Sequence, residues 1–212
     1  MMVLYSGTTC PYSHRCRFVL FEKGMDFEIR DVEIFAKPED IAIMKGEHQT
    51  PEHRARNAFA QLPVLELDDG THISESVAIC RYFEELNPDP PLMGATPKEK
   101  ALVEMWQRQI EFNLFMPVAM TFRHTHPAMG ALETQIPAWG ELNKERAQKS
   151  LEWLDRSLAG KDFVAGRNFS IADITAMCAI DFGRIWRFAI PETCANARRW
   201  HTAVAARPSA KA

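Results

Sequence analysis

Eleven residues near the middle of the chain, NPDPPLMGATP at 87–97, constrain the fold more than any other stretch. They include four prolines and one glycine. Proline lacks an amide hydrogen and clashes with the preceding helical turn, so no helix continues through them. Strand and helix patterns alternate before this stretch, whereas only helical spacing follows it. The sequence therefore predicts a first domain at 1–86, a linker at 87–96 and a second domain at 97–212.

The first domain has the pattern of an α/β fold, because short alternating or apolar runs are separated by helical spacing. The β-α-β order at its start implies a parallel strand pair with a right-handed connection. The predicted elements are, in order, strand 3–7, helix 13–24, strand 26–34, a polar irregular stretch at 36–57 with room for one short helix, a hairpin within 61–76 around a DDG turn, and helix 76–86.

The second domain is predicted to be all-α. Helical spacing with Met, Trp and Phe on the apolar faces runs through 97–126, 141–159 and 171–186. Ser170 and Asp173 have the spacing of a capping box at the start of the last of these helices. A catalytic acid is the alternative role for Asp173, and we favour the structural one. The two halves together predict an α/β domain followed by an all-helical domain.

Composition excludes several classes of function. The net charge is −3 and the pI about 6.2, so no basic surface for nucleic acid is expected. No apolar run approaches the ~20 residues that span a bilayer, and the start MMVLYSGTT has no signal-peptide pattern. The five cysteines are odd in number and widely spaced. That spacing is typical of reduced thiols, which predicts a cytoplasmic protein.

No metal site is predicted. His124 and His126 are two residues apart in a predicted helix. Side chains two positions apart on a helix point about 200° away from each other. These two imidazoles are therefore not expected to share a ligand.

The segment TTCPYSHRC at 8–16 has the appearance of half a redox motif. A C-x-x-C pair would place its second thiol where Ser13 stands. Cys10 precedes a predicted helix, and Pro11 suits the first helical position. The helix N-terminus, together with His14 and Arg15, favours a thiolate at Cys10. The alternative is that Cys10 is a small residue that fills a tight turn, and the motif itself leaves both interpretations open.

An internal disulfide on this spacing is not expected. Six residues of helix, from Cys10 to Cys16, correspond to about 600° of rotation, so the two thiols face different sides. If Cys10 is reactive, an external thiol must resolve any mixed disulfide that it forms.

Two further stretches have the features of a peptide-binding edge. Proline is costly inside a sheet, so QLPVL at 61–65 predicts a cis Leu62–Pro63 bond at the start of a strand. The backbone of Leu62 would then be available to pair with an extended peptide. Glu75 and Ser76 lie between a strand and a helix, where N–H groups and a hydroxyl can hold a carboxylate and Glu75 can accept from an ammonium. The alternative makes Ser76 a helix N-cap and leaves Glu75 facing solvent.

These motifs, in this order, resemble the cytosolic glutathione S-transferases over nearly the whole chain. The resemblance implies a thioredoxin-like first domain, a helical second domain, a homodimer, and glutathione as co-substrate in detoxification chemistry. The stretches that carry it are CPYS at 10–13, GEHQTPE at 46–52, QLPVLELDDGTHISESVAICRYFEEL at 61–86 and FSIADITA at 169–176.

The resemblance also implies a role for individual residues. Cys10 stands at the position of the catalytic serine or cysteine, and a cysteine there implies thiol transfer or reduction through a mixed disulfide with glutathione rather than simple conjugation. The residues implied to bind glutathione are His48 and Gln49 for its glycine carboxylate, Gln61, Leu62 and Pro63 for its cysteinyl part, and Glu75 and Ser76 for its γ-glutamyl group.

The second substrate is expected to be a small hydrophobic electrophile or a disulfide. Tyr12, Trp106 and Phe112 are the residues predicted to contact it. The alternative for the two residues in the helical domain is a place in the core or in a dimer interface, because an aromatic stripe at helical spacing is most often packed against other protein.

Two features depart from the transferase pattern. The usual Asn-Pro-x-Gly before the glutamine is Asn57-Ala58-Phe59-Ala60 here. The first forty or so residues also resemble stringent starvation protein A, a relative that binds RNA polymerase. A non-catalytic polymerase-binding factor is therefore the alternative function. From Gly46 onward the transferase resemblance dominates, and it carries the predicted ligand residues.

Overall fold

A computed structural model describes the backbone of residues 2–37 and 40–212 and the side chains of residues 2–35 and 45–212. The chain divides into two compact units, the first ending at Pro90 and the second running from Pro91 to Lys211. The division falls inside the proline-rich stretch 87–97.

The first unit contains a four-stranded sheet of β1 (Val3–Ser6), β2 (Glu28–Asp31), β5 (Val64–Glu66) and β6 (His72–Ser74), in the order β2-β1-β5-β6. The strand β1 runs parallel to β2, as predicted, and antiparallel to β5, while β5 and β6 form the predicted hairpin. The helices of the unit are α1 (Pro11–Glu22), α2 (Pro51–Arg56) and α3 (Ser76–Leu86).

The prediction for 36–57 was partly wrong. The short helix is present as α2, but two strands, β3 (Phe35–Lys37) and β4 (Asp40–Met44), form a separate antiparallel pair. Residues 38 and 39 lie outside the described part of the chain. Charged and small residues interrupt the apolar alternation here, so the local pattern of a strand is weak.

The register of the sheet brings three chain segments to one edge. Tyr5 pairs with Val64, and Val64 pairs with Ser74, so these three residues form one row across β1, β5 and β6. Because β5 is antiparallel to both neighbours, the end of β1, the start of β5 and the end of β6 meet beyond this row. The segments that continue from the row contain Cys10, Leu62–Pro63 and Glu75–Ser76.

The second unit is helical in the part that the structure describes. The predicted helix 97–126 is interrupted by a π-helical turn at Glu111–Phe115. A helix at Ala195–Ala205 was not predicted, because its buried face shows only as Ala197, Trp200 and Val204 among polar residues. The helices of this unit are α4 (Pro97–Ile110), α5 (Met116–Thr125), α6 (Pro137–Ser157), α7 (Ile171–Gly183) and α8 (Ala195–Ala205).

The predicted capping box at the start of α7 is confirmed, and it ties in more of the chain than expected. One carboxylate oxygen of Asp173 accepts hydrogen bonds from the amide and hydroxyl of Ser170, both at 3.0 Å. The other oxygen accepts from the Val164 amide and from the Trp200 indole, both at 2.8 Å. Burial raises the pKa of Asp173 to about 6, against the opposing effect of these donors. These four contacts within the helical unit give Asp173 the structural role that the sequence favoured.

We expect Asp173→Asn to lower the free energy of unfolding by about 2–4 kcal/mol. The four donors now bind two carboxylate oxygens, whereas the asparagine amide has only one acceptor oxygen. Urea unfolding followed by circular dichroism measures the change. Asp162→Asn, at an exposed position, is the matched control and is expected to stay within about 0.5 kcal/mol of the parent. Equal effects of the two variants would contradict the structural role of Asp173.

Candidate active site

Cys10 lies between β1 and α1, where it occupies the N-cap position of the helix. Its side chain is half-buried and packs against an apolar cluster that includes Leu62 and Val64. The Sγ atom lies 3.7 Å from the carbonyl oxygen of Leu62 and donates to it. The cysteine and the predicted peptide-binding backbone are therefore in direct contact.

Ser13 fixes the loop that carries this cysteine. Its buried hydroxyl accepts a hydrogen bond from the Gly7 amide at 3.0 Å, and the Cys10 amide donates to the Gly7 carbonyl at 3.2 Å. A Cβ at Gly7 would lie 3.0 Å from the Cβ of Cys10. The position where a redox motif has its second thiol is thus used for a hydroxyl that closes the loop.

Arg17 was not predicted as part of this site. Its guanidinium donates to the hydroxyl of Ser6 and to the carbonyl oxygens of Gly7 and Thr8, the last two at 3.1 and 3.4 Å. These contacts hold the β1–α1 loop from the helix side. The only sequence signal was a basic residue two turns into the helix, which is common on solvated faces.

Cys16 and Cys10 contact different segments of the chain, in agreement with the predicted helical rotation. Cys16 is buried against α3, with its Sγ 3.5 Å from the Ser76 carbonyl oxygen and 3.9 Å from the Sγ of Cys80. Burial raises the pKa of the Cys16 thiol well above its ordinary value. A neutral, enclosed thiol of this kind is a poor nucleophile.

The Leu62–Pro63 peptide bond is cis, as predicted. The loop before it forms although it lacks the usual proline and glycine, and Ala60 adopts a left-handed φ of 54°. The Asn57 carboxamide and backbone supply the contacts that hold this reversal, since they accept from the amides of Phe59 at 3.1 Å and Ala60 at 2.8 Å.

Glu75 and Ser76 occupy the turn between β6 and α3. The alternative in which Ser76 is the N-cap was wrong, because Glu75 takes that position and makes no side-chain capping bond. Ser76 is buried as the first helical residue, whereas Glu75 is exposed with a φ of 70°. A non-glycine residue in this region of φ is strained, and such residues are concentrated at binding and catalytic sites.

His48 and Gln49 form a 3₁₀ turn, Glu47–Gln49, anchored to the chain that follows β2 by the Glu47 amide and the Glu33 carbonyl at 3.1 Å. His48 is 5% exposed, and burial lowers its pKa, so the ring is neutral near pH 7. Its Nδ1 has no hydrogen-bond partner among the described residues. A buried ring nitrogen without a partner is costly, which is a reason to consider a ligand at this position.

Arg54 supplies a positive charge beside this turn. Its guanidinium donates to the side-chain oxygen of Gln49 and, at 3.3 Å, to the Gln49 carbonyl oxygen. Arg54 was not predicted as part of the site, because it follows Gln49 by five residues in a different element. The uncharged Gln49 thus has a cation in contact with it.

Two family models match the chain. The model for the glutathione S-transferase N-terminal domain matches residues 9–86, and the model for the C-terminal domain matches residues 131–208. Glutathione S-transferase 2 of Saccharomyces cerevisiae is 36% identical to this chain over 99% of its length and 88% of the relative. The chain belongs to the glutathione S-transferase family. The predicted fold class, a thioredoxin-like domain followed by a helical domain, is confirmed by the solved structures of this family.

Two solved transferase structures show how far the likeness extends. Gtt2 from Saccharomyces cerevisiae has a TM-score of 0.88 at 36% identity, covering 99% of this chain and 98% of that one. A glutathione S-transferase domain-containing protein from Marinobacter aquaeolei has a TM-score of 0.88 at 38% identity, covering 98% and 99%. A stringent starvation protein A homolog from Coxiella burnetii is also similar, at 30% identity over 82% of this chain and 71% of the relative.

The residues predicted to contact a second substrate belong to different units of this transferase. Tyr12 is half-buried in α1, two residues after Cys10, with the Arg15 guanidinium 5.7 Å from its ring centroid. In the helical unit, Trp106 packs against Trp153 with 5.8 Å between the ring centroids, and Phe112 is 58% exposed in the π-helical turn. A shared role in substrate binding remains a prediction for these three residues.

Among residues 2–35 and 45–212, no group of His, Cys, Asp and Glu side chains has the arrangement of a metal site. Within the described part of the chain, no helix is long and apolar enough to cross a membrane.

We expect Ser13→Ala to lower the free energy of unfolding by about 1–3 kcal/mol, because the buried Gly7 amide loses its acceptor. Thr202→Ala is the matched control, since its exposed hydroxyl only bonds the carbonyl of its own helix at 2.9 Å. Chemical unfolding of both variants measures the difference. A loss no larger than that of the control would show that the hydroxyl does not hold the loop.

Proposed function

We propose that this transferase uses glutathione on a small hydrophobic electrophile or a disulfide, with Cys10 as its catalytic residue. The observation that carries the proposal is the contact between Cys10 and Leu62, at 3.7 Å from sulfur to carbonyl oxygen. A tripeptide paired with the Leu62 backbone would have its own cysteine beside the Cys10 sulfur. The order of the reaction steps then depends on whether the Cys10 sulfur or the glutathione sulfur attacks the substrate.

The other residues of the sheet edge match the ends of glutathione. The carboxylate of Glu75 can accept from the γ-glutamyl ammonium, while Ser76 and the N-terminus of α3 can donate to the γ-glutamyl carboxylate. At the opposite end, His48, Gln49 and Arg54 present donors and a positive charge for the glycine carboxylate. Gln61 and Pro63 flank the Leu62 backbone that would pair with the cysteinyl part.

Thiol transfer is the reaction that a cysteine at this position supports. The Cys10 thiolate attacks the glutathione sulfur of a mixed disulfide, and the substrate thiolate leaves, so Cys10 becomes disulfide-linked to glutathione. The thiolate of a second glutathione then attacks that glutathione sulfur and releases oxidised glutathione and the Cys10 thiolate. Because Ser13 replaces a second thiol in the motif, glutathione serves as the resolving thiol. In the conjugation alternative, the bound glutathione thiolate attacks the electrophile directly.

A factor that binds RNA polymerase is the second candidate, favoured by the similarity to the starvation protein homolog. That similarity covers less of both chains, at lower identity, than the similarity to the yeast transferase. Fold does not separate the two candidates, because members of one fold carry different functions. The contacts around Cys10 favour the enzyme.

We further propose a cytoplasmic homodimer with a role in detoxification, as family membership implies. None of the cysteines in the described part of the chain forms a disulfide, in agreement with a reducing compartment. Light scattering after size-exclusion chromatography measures the mass in solution, and a monomeric mass would contradict the dimer.

Intact-mass spectrometry after incubation with oxidised glutathione tests the role of Cys10. We expect one glutathione adduct on the parent protein and none on Cys10→Ser, because Cys16 is enclosed against α3. Cys194→Ser, which removes another buried thiol, is the matched control and should keep the adduct. Loss of activity in a glutathione-dependent disulfide reduction assay should accompany Cys10→Ser.

Other outcomes of this experiment are equally informative. Glutathione binding in calorimetry without an adduct would replace thiol transfer by conjugation. Absence of both adduct and binding would contradict the enzyme and favour the polymerase-binding factor, which a pull-down with purified RNA polymerase would then test.

Arg54→Gln is expected to raise the KM for glutathione about tenfold, with kcat little changed, because one charge-assisted hydrogen bond to the glycine carboxylate is lost in ground and transition states alike. Arg167→Gln, an exposed arginine in the helical unit, is the control and should leave KM unchanged. Steady-state kinetics over a range of glutathione concentrations provide both constants. An unchanged KM in Arg54→Gln would remove this residue from the site.

A further inference from the structure

Two side chains of the first unit converge on the backbone carbonyl of Gln61, the residue before the Leu62 that contacts Cys10. The Nε2 atom of His53 and the Nδ2 atom of Asn57 each lie 3.1 Å from the carbonyl oxygen of Gln61. His53 is 2% exposed and Asn57 is 8% exposed. Neither residue was predicted to be part of the site, although Asn57 begins the stretch that departs from the usual Asn-Pro-x-Gly.

The chemistry of the acceptor defines the state of His53. A carbonyl oxygen can only accept, so the imidazole must carry its hydrogen on Nε2 to make this bond. The other ring nitrogen, Nδ1, then has a lone pair that meets no partner among the described residues. Burial lowers the pKa of His53, so the ring is neutral near pH 7. The protein keeps a buried polar ring here although only one of its two nitrogens is satisfied.

The orientation of Asn57 is defined from both ends of its side chain. Its Oδ1 accepts from the Phe59 amide at 3.1 Å, so its NH₂ group must be the donor to Gln61. Its backbone amide donates to the His53 carbonyl at 3.0 Å. The two donors are therefore connected through α2 and its C-cap, and they act on the same oxygen.

Because a peptide group is planar, this contact with the Gln61 carbonyl also sets the direction of the Leu62 N–H. In a trans peptide the C=O and N–H bonds point in opposite directions. Cis bonds in the described chain include Leu62–Pro63 but not Gln61–Leu62. Anchoring the Gln61 carbonyl on the α2 side therefore directs the Leu62 N–H away from α2. That N–H has no acceptor within the described residues. Two donors on the carbonyl also polarise the peptide group and strengthen its N–H as a donor.

We propose that His53 and Asn57 are positioning residues that aim and polarise the Leu62 N–H for the cysteinyl carbonyl of glutathione. This inference rests on the proposed function, since it assigns the Leu62 backbone to the bound tripeptide. The residues act through the Gln61–Leu62 peptide group and touch neither the ligand nor the reacting sulfur.

Three substitutions change the hydrogen-bond donors of His53 and Asn57 while keeping the side-chain volume similar. His53→Phe retains a ring and removes the donor, His53→Gln retains an N–H at the position of Nε2, and Asn57→Asp retains the acceptor for Phe59 and removes the donor. We expect His53→Phe and Asn57→Asp each to raise the glutathione dissociation constant about three- to tenfold, the range for one weakened hydrogen bond. His53→Gln should stay within about twofold of the parent.

A control variant distinguishes aiming from general loss of stability. Phe83→Leu removes buried volume from α3 in the same unit, where Phe83 packs against Phe27. It changes neither member of the clamp, the pair His53 and Asn57 that donates to the Gln61 carbonyl. Thermal melts measure the decrease in Tm of each variant. If Phe83→Leu and His53→Phe lower Tm equally and also weaken glutathione binding equally, the positioning role is overturned. A full loss of affinity in His53→Gln would overturn the assignment of His53 as a donor.

The Leu62 amide provides a readout that needs no ligand. In ¹H–¹⁵N spectra of the glutathione-free protein, we expect its proton resonance to move upfield in His53→Phe and Asn57→Asp, because the preceding carbonyl is less polarised, and to stay near its parent position in His53→Gln. An unmoved Leu62 resonance in both donor-removing variants would overturn the proposal. If His53→Phe does not fold, Asn57→Asp decides the test.

Failure of this inference differs from failure of the proposed function. A parent protein that does not bind glutathione in calorimetry contradicts the proposed function, and the Leu62 resonance still decides whether the clamp polarises the peptide group. A parent that binds glutathione, with both donor-removing variants binding equally well, contradicts the positioning role only.

Discussion

The pairing of β5 between β1 and β6 is the constraint on which the candidate site depends. The row formed by Tyr5, Val64 and Ser74 sets the level at which all three strands reach the sheet edge. A shift of one residue in either pairing would invert the faces of a strand and displace the segment that follows it. With this register, Cys10 and the Leu62 carbonyl come within 3.7 Å although they are 52 positions apart in the chain.

The backbone around this edge is held mainly by side chains that take no part in the proposed reaction. Ser13 and Arg17 bind the loop before Cys10, and Asn57 closes the reversal before Pro63. Buried polar contacts of this kind are directional, so they define positions that apolar packing leaves loose. The contact of His53 and Asn57 with the Gln61 carbonyl belongs to the same pattern, and its proposed effect is on the direction of the Leu62 N–H.

Much of this arrangement was predictable because it depends on local rules. Proline at the start of a strand predicted the cis bond, and the spacing of Ser170 and Asp173 predicted a capping box. The alternative role of Ser76 as the helix N-cap was wrong, because the N-cap lies one residue earlier, at Glu75. The elements β3, β4 and α8 were also not predicted, because their apolar patterns are short and interrupted by polar residues. The roles of Arg17, Arg54 and His53 were not visible, since arginine and histidine in a helix are usually on a solvated surface. Asn57 was noted only as part of the altered Asn-Pro-x-Gly motif, which did not indicate its contact with the Gln61 carbonyl.

The sequence itself was sufficient to specify an α/β domain followed by a helical one, the division at the prolines, the cis bond and a cysteine without a resolving partner in its motif. Each of these follows from the covalent geometry of a residue or from the periodicity of a short segment. Only the tertiary structure decided which side chains surround that cysteine. Their contacts join residues far apart in the chain, and the strand register that brings them together is set by the packing of the whole sheet rather than by any one segment.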